Sequence, residues 1–283
     1  MVGLALGLGG CANTAITVLN AVIPNDGYTL TADIPYGADP RQHLDVYTPK
    51  QGAGPRPVVL FFYGGSWKSG AKKQYRFLGE ALTSKGYVAV IADYRVYPAV
   101  KFPAFEEDAA RAIKWTQGHA TEHGGDPAKL FVMGHSAGAN IAALAVLDST
   151  YAKAAGATGR VRGFIGLAGP YAFRPEQTKS VRDVFLGTGD LERARPITFV
   201  AAQHPPPPMF LAHGRDDTTV YPLNTEQMTA AARAAGGTVR DVFYDKIGHV
   251  GLMAAFAKPF RGRAPVLNDV SAFIETTVKA PAP

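Results

Sequence analysis

A mostly parallel β-sheet with helices on both faces, an α/β fold, is predicted by three features of this 283-residue sequence. Nearly continuous apolar runs recur at 58–63 (VVLFFY), 87–92 (YVAVIA), 130–133 (LFVM) and 209–213 (MFLAH). They have the length and composition of strands buried on both faces. Segments of helical length stand between them, so that strands and helices alternate. A hydrophobic fraction of 47% over a chain this long supplies the core of one large domain.

Taken in order, the chain opens on an apolar, small-residue stretch at 2–10, too short to span a bilayer as a helix. It runs into Leu8-Gly9-Gly10-Cys11, which resembles a bacterial lipobox. In such a signal the peptide is cut before the cysteine, which is then lipidated. No Lys or Arg precedes the stretch, so the charged segment usual in such a signal is not seen. On this reading residues 1–28 are signal and tether, residues 29–283 form the folded domain, and Cys11 attaches it to the cell envelope. The alternative is a plain N-terminus on a cytoplasmic protein. Cys11 is the sole cysteine, so no internal disulfide forms.

Residues 29–36 and 42–47 alternate apolar and polar side chains and predict a half-buried antiparallel hairpin at a sheet edge. A Gly/Pro loop at 49–57 leads to the buried strand 58–63. A helix at 72–85 stops at Gly86, a residue suited to a helix end. The strand 87–92 follows, then an amphipathic helix at 105–117 with Phe105, Ala109, Ala112, Ile113 and Trp115 on its apolar side. Next come the strand 130–133 and the small-residue helix 140–147, then a strand at 161–168. Residues 169–208 are Pro- and Arg-rich, too polar to read as a large apolar lid, and end in four prolines at 205–208. Strand 209–213, helix 224–235, strand 238–244 and helix 269–278 complete about eight strands in all. No internal repeat or transmembrane helix is evident.

The formal net charge is +6 and the sequence pI about 9.3. Apart from Lys68, Lys72, Lys73 and Arg76 the cations are scattered, and no nucleic-acid motif accompanies them. They read as solvated surface.

The chemistry centres on Gly134-His135-Ser136-Ala137-Gly138, set between a buried strand and a helix. That context makes G-x-S-x-G a nucleophile elbow: a sharp turn projects the serine hydroxyl above the sheet, over a helix N-terminus that favours negative charge. A serine hydroxyl needs an imidazole to accept its proton and a carboxylate to orient that imidazole, in chain order Ser, Asp/Glu, His. Of seven histidines, His249 stands in a predicted loop after the last strand, where the base belongs. His213 is expected to buttress its own loop. His119 and His123, four apart, lack the rest of a zinc motif. Asp216 and Asp217 both follow the strand 209–213, and either suits the acid by position alone. The oxyanion donors are expected from the amides of Ala137, Gly65 and Ser66, in the loop after the strand 58–63.

In order along the chain, YGGSW (63–67), DYR (93–95), FPA (102–104), GGDP (124–127), GHSAGAN (134–140), LAGPY (167–171), HGRDDTTV (213–220) and GHVG (248–251) together resemble a bacterial α/β-hydrolase of the carboxylesterase and feruloyl-esterase-like kind, often seen as a lipoprotein. The resemblance runs from about Tyr28 to the C-terminus. It implies an α/β-hydrolase fold and cleavage of carboxylic esters by Ser136, Asp217 and His249, through an acyl-enzyme and with no cofactor or metal. The pattern His-Gly-x-x-Asp-x-x-Val is what favours Asp217 over Asp216. The family usually has histidine where this chain has Tyr63, whose ring is expected to support the loop rather than react. Trp67, Phe102, Tyr171 and Phe173 are candidates to line the substrate pocket. Amide cleavage of the arylformamidase kind, and a silent hydrolase fold used for binding, are the alternatives. The substrate's acyl length and the oligomeric state are not legible.

Overall fold

The computed structural model describes residues 20, 23–52, 54–157, 159–201 and 206–281. Cys11, the signal-like stretch and His204 lie outside them. Eight strands form one sheet: β1 (Tyr28–Pro35), β2 (His43–Pro49), β3 (Arg56–Phe62), β4 (Val88–Ala92), β5 (Gly125–His135), β6 (Gly163–Leu167), β7 (Met209–Gly214) and β8 (Val239–Tyr244), in the order β1-β2-β4-β3-β5-β6-β7-β8. From β4 to β8 all neighbours are parallel; β2 is antiparallel to β1 and to β4. The α-helices are α1 (Arg76–Thr83), α2 (Ala104–His119), α3 (Ala137–Leu147), α4 (Ser149–Ala155), α5 (Arg182–Phe185), α6 (Leu223–Ala234), α7 (His249–Ala254) and α8 (Val266–Lys279).

The strand order places the site. The connection from β3 through α1 to β4 steps one way across the sheet; those from β4 to β5 and on to β8 step the other way. Right-handed crossovers then put α1 on one face and α2, α3 and α6 on the opposite one. α8 joins α1's face: Lys85 Nζ donates to Asn268 Oδ1 (3.0 Å), and Tyr87 and Ser271 hydroxyls are 2.6 Å apart. The direction reverses at β3, and the crevice at such a reversal is where ligands bind in open α/β sheets. The loop after β3 and the turn after β5 both open into it, because β3 and β5 are neighbours with Phe62 opposite Gly134.

The core explains the continuous apolar runs. β4, β6 and β7 are buried at every position, as are the last five residues of β3. Each enclosed Leu, Val or Phe contributes roughly 1.5–3 kcal/mol. Three expectations need correction. First, β2 is not half-buried: it lies between β1 and β4, and Leu44, Asp45, Val46 and Tyr47 are all enclosed. Of the hairpin, only β1 lies at the edge of the sheet and is exposed. Second, Lys72 is not solvated. It is buried, with Nζ 2.8 Å from both Asp33 Oδ1 and Asp45 Oδ1. Burial alone would depress its pKa, but the bonds to two carboxylates overcome this and raise it. Third, the helix expected over 72–85 divides into a 3₁₀ turn, Lys72–Tyr75, followed by α1. α4 was also unforeseen; Asp148 caps it by accepting from the Thr150 amide.

Among the described residues, several buried polar side-chain atoms have no hydrogen-bond partner, and one of these groups is an ionisable carboxyl. Glu106 on α2 is wholly enclosed and neither carboxylate oxygen has a hydrogen bond. Burial, then the nearby Asp108 and Asp148, pushes its pKa well above the usual carboxylate range, so it is held as a neutral acid.

Candidate active site

Ser136 closes β5 and opens α3 with φ 55° and ψ −126°, a strained conformation for a residue with a side chain. Its own amide donates to Leu167 O on β6 (2.9 Å), and its carbonyl accepts from Ala139 N (2.9 Å), which fixes the turn from both sides. Gly138 lets α3 seat on β3: a Cβ there would lie 2.1 Å from the Phe62 carbonyl oxygen.

His249 and Asp217 complete a continuous line of hydrogen bonds. His249 Nε2 is 2.8 Å from Ser136 Oγ, and Nδ1 is 2.6 Å from Asp217 Oδ2. His249 is not in a loop as expected. It is the first residue of α7, whose apolar Leu252 and Met253 are buried. Asp217 is enclosed and fully satisfied. Oδ1 accepts the amides of Thr219 and Val220 (both 2.9 Å), and Oδ2 faces both His249 and His213 Nε2 (3.2 Å). Burial raises the pKa of this carboxyl, but the bonds from His213, His249 and Val220 outweigh it and hold it well below the usual range. Asp216, by contrast, is exposed. The contacts separate two neighbours that the sequence leaves equal by position.

Two further histidines serve this line. His213 is fully buried; Nε2 is 2.7 Å from Val220 O and Nδ1 is 2.7 Å from Thr225 Oγ1, so it ties the Asp217 loop to α6. His135 packs its ring 4.7 Å from that of His249, and its Nε2 is 3.2 Å from the His249 carbonyl. Burial, reinforced by His249 alongside, pushes the His135 pKa well below the usual imidazole range. Neutral His135 therefore donates to the carbonyl without adding a positive charge beside His249.

On the other side of Ser136 runs the loop after β3. A Cβ on Gly64 would lie 2.9 Å from Ser136 Cβ, so this loop passes directly against the serine. Gly65, Ser66 and Trp67 take φ values of 136°, 55° and 58° in succession. At Ser66 and Trp67, which carry side chains, strain of this kind costs about 1–3 kcal/mol per residue and needs surroundings that hold it. At Gly65 a side chain would also meet the Ser69 carbonyl at 2.2 Å. The Gly65 carbonyl accepts from Lys68 N and Ser69 N, and that of Trp67 accepts from Tyr97 N. Among the described residues, the amides of Gly65, Ser66 and Ala137 donate to no backbone carbonyl outside helices and strands.

A buried polar network secures the base of that loop. Tyr63 Oη donates to Asp93 Oδ1 (2.5 Å) and accepts from Arg41 Nη2 (2.9 Å), which also donates to Gly70 O (2.9 Å). Asp93 Oδ1 also accepts the Lys72 amide (2.7 Å). Tyr94 Oη donates to the Tyr63 carbonyl (2.7 Å), and Arg95 grips Asp108 on α2. The sequence singled out DYR without showing its purpose. Each of its residues anchors one side of the loop or the helix beside it. Arg41 could not be found in this way, because it lies far away in the β1–β2 connection.

The four pocket candidates divide. Trp67 stacks on Phe173 (5.4 Å, 16°) and meets Phe185 edge-on (5.0 Å, 85°), with Phe102 beside Phe185 (5.8 Å). Trp67 and Phe102 are nearly enclosed, and Phe173 is half-buried. Tyr171 is a correction: it is wholly enclosed and set edge-on to Phe164, so it belongs to the core and offers no surface to a substrate.

Known proteins are similar to this chain. The family model BD-FAE matches residues 44–231. Isoprenylcysteine alpha-carbonyl methylesterase ICME of Arabidopsis thaliana is 29% identical over 257 residues, covering 83% of this chain and 60% of its own. Esterase LipQ of Mycobacterium tuberculosis is 28% identical over 226 residues, 73% of this chain and 53% of that one. The chain thus spans between about half and three-fifths of the curated relatives' length. Among solved structures, esterase B from Lactobacillus rhamnosis superposes with a TM-score of 0.81 at 19% identity, covering 96% of this chain and 95% of that chain. A thermophilic esterase from Thermogutta terrifontis, bound to butyrate, gives 0.72 at 25% identity, covering 90% and 96%. The fold is that of an α/β-hydrolase.

Proposed function

The chain belongs to the BD-FAE family, and from that premise we propose that it is a serine hydrolase that cleaves carboxylic esters through Ser136, His249 and Asp217. The observation that carries this reading is the unbroken line from Ser136 Oγ through both nitrogens of His249 to Asp217. The esterase names of its relatives and structural neighbours point the same way.

In this mechanism His249 Nε2 takes the hydroxyl proton as Ser136 Oγ bonds to the ester carbonyl carbon, and the carbonyl electron pair moves onto oxygen. The amides of Gly65, Ser66 and Ala137 receive that oxyanion. Collapse of the intermediate breaks the bond to the alcohol, which leaves with the proton from His249. A water deprotonated by His249 then attacks the acyl group on Ser136. The carboxylic acid departs and Ser136 regains its proton. Asp217 keeps Nδ1 protonated and stabilises the imidazolium that forms twice per cycle.

Ser136→Ala should lower kcat on p-nitrophenyl acetate by about three orders of magnitude or more. Unchanged turnover in that variant would contradict the assignment, and faster cleavage of an N-formyl aryl amine than of esters would move the reading to amide hydrolysis. The same reading carries Cys11 as a lipidated anchor at the cell envelope. Mass spectrometry of the mature N-terminus tests this, and an unmodified Met1 or Val2 would overturn it.

A further inference from the structure

Five large hydrophobic side chains stand exposed among the described residues: Leu30, Leu186, Tyr221, Leu223 and Val250. Single exposed hydrophobics need no explanation. These are not scattered. Leu30 lies on the edge strand β1, but the other four all lie on connections leaving the carboxyl ends of parallel strands: Leu186 after β6, Tyr221 and Leu223 after β7, Val250 after β8. Ser136 and the Gly65–Trp67 loop leave the same end of the sheet, after β5 and β3.

A chain of contacts and sequence neighbours connects these residues with the serine. Val250 adjoins His249, which bonds Asp217. Asp217 accepts the Val220 amide, and Tyr221 comes next in the chain. The Tyr221 carbonyl accepts from Asn224 N, and Asn224 Oδ1 accepts from Ala172 N (3.2 Å), which carries the path past Leu223 to Phe173. Phe173 stacks on Trp67, whose indole also meets Phe185, the neighbour of Leu186. Val250 is 66% exposed, Tyr221 65% and Leu223 55%, so this arc presents area that burial would stabilise. Of the cations on the same side, Lys68 Nζ donates to Ser180 O, Lys101 Nζ to Leu186 O, and Arg215 pairs with Asp245. The exposed side chains of the arc are apolar and therefore suit an uncharged aliphatic group.

We propose that Val250, Tyr221 and Leu223 form the docking surface for one apolar chain of the substrate, so that the preferred substrates are esters bearing a medium or long aliphatic group. This rests on the ester-hydrolase reading and adds the substrate class to it. The polar tip of Tyr221 lets the rim stay in water when no substrate is bound.

The test compares kcat/KM for p-nitrophenyl acetate and p-nitrophenyl octanoate, with octanoate kept below the concentration at which it aggregates. The wild-type chain should prefer octanoate. In the triple variant Tyr221→Ser/Leu223→Ser/Val250→Ser the octanoate-to-acetate ratio should fall about tenfold, the loss of a few buried methylene contacts. Leu30→Ser, exposed but on the far edge, should leave the ratio where it is. The replaced side chains are on the surface, and a thermal melt confirms that the variant is folded. A ratio unmoved by the triple substitution overturns the proposal. In a second series carried past that concentration, a rate that rises only once octanoate aggregates also overturns it, and would assign the rim to a lipid surface instead of a single chain. If the wild-type chain cleaves acetate but either result appears, only the rim inference fails. If it cleaves no ester at all, the ester-hydrolase reading fails first.

Discussion

The two sides of the crevice around Ser136 are built on opposite principles. On the β3 side the loop carrying Gly65 and Ser66 is exposed at Ser66 but strained, and it is fastened from beneath by buried Tyr63 with Asp93, Arg41 and the Lys72 amide. On the β7–β8 side the acid and base are equally well held, by His213 and His135, but the residues just beyond them, Tyr221, Leu223 and Val250, are exposed and apolar. Groups that must meet a transition-state oxygen within a few tenths of an ångström require a fixed scaffold. Groups that accommodate the body of a substrate need area and access. The contrast suggests that geometry is set on one side and selectivity on the other.

The largest effect expected from breaking the fixed parts is at the acid. Asp217→Asn should lower kcat by about three to four orders of magnitude, because an amide cannot hold the correct tautomer of His249. Asp216→Asn, at an exposed neighbour, should change kcat by less than about twofold. Equal losses in both would mean that the loop as a whole, not one carboxylate, is what matters. Next in size is Tyr63→Phe, which keeps the ring and deletes only the hydroxyl. It removes one hydrogen bond each from Asp93 and Arg41 and should cost about 1–3 kcal/mol of stability. It should lower kcat by about tenfold with little change in KM, since the loop's donors act in the transition state. A rise in KM alone would show that the loop serves binding instead.

The smallest expected effect lies away from the chemistry, at Glu106. Burial raises its carboxyl above the unfolded value of about 4.3. The folded state then holds the proton more tightly than the unfolded chain. The stability carried by that proton is complete below the unfolded value and is lost as pH rises toward the folded one. Glu106→Leu should remove this downward slope and stabilise the protein by about 1–3 kcal/mol near neutral pH. Urea midpoints at acidic and neutral pH read it directly; identical slopes in variant and wild type would mean that Glu106 has a partner after all.

How far the sequence could be read depends on the range of the interactions. The buried strands were legible because continuous apolar runs report burial on both faces, and the elbow because its glycines answer a local steric need. The order of Ser136, Asp217 and His249 along the chain was legible, and so was Tyr63 as a supporting ring. Position alone left Asp216 and Asp217 equal and the family pattern favoured Asp217, the one of the two that turns inward in the folded loop. Lys72 was misread as surface because its partners, Asp33 and Asp45, come from strands 27 or more residues away. Arg41 was invisible for the same reason. Tyr171 was misread because an aromatic near a site and an aromatic in the core look alike in one dimension. His249 was assigned to a loop because a helix as short as α7 has little periodicity to display.

The central claim is that Ser136 is the nucleophile. Labelling with a fluorophosphonate, followed by peptide mass spectrometry, tests it most directly. The account predicts one adduct, on the peptide containing Ser136, with ester turnover lost in step with labelling. Full turnover in a completely labelled protein, or an adduct on any other residue with Ser136 unmodified, would contradict it.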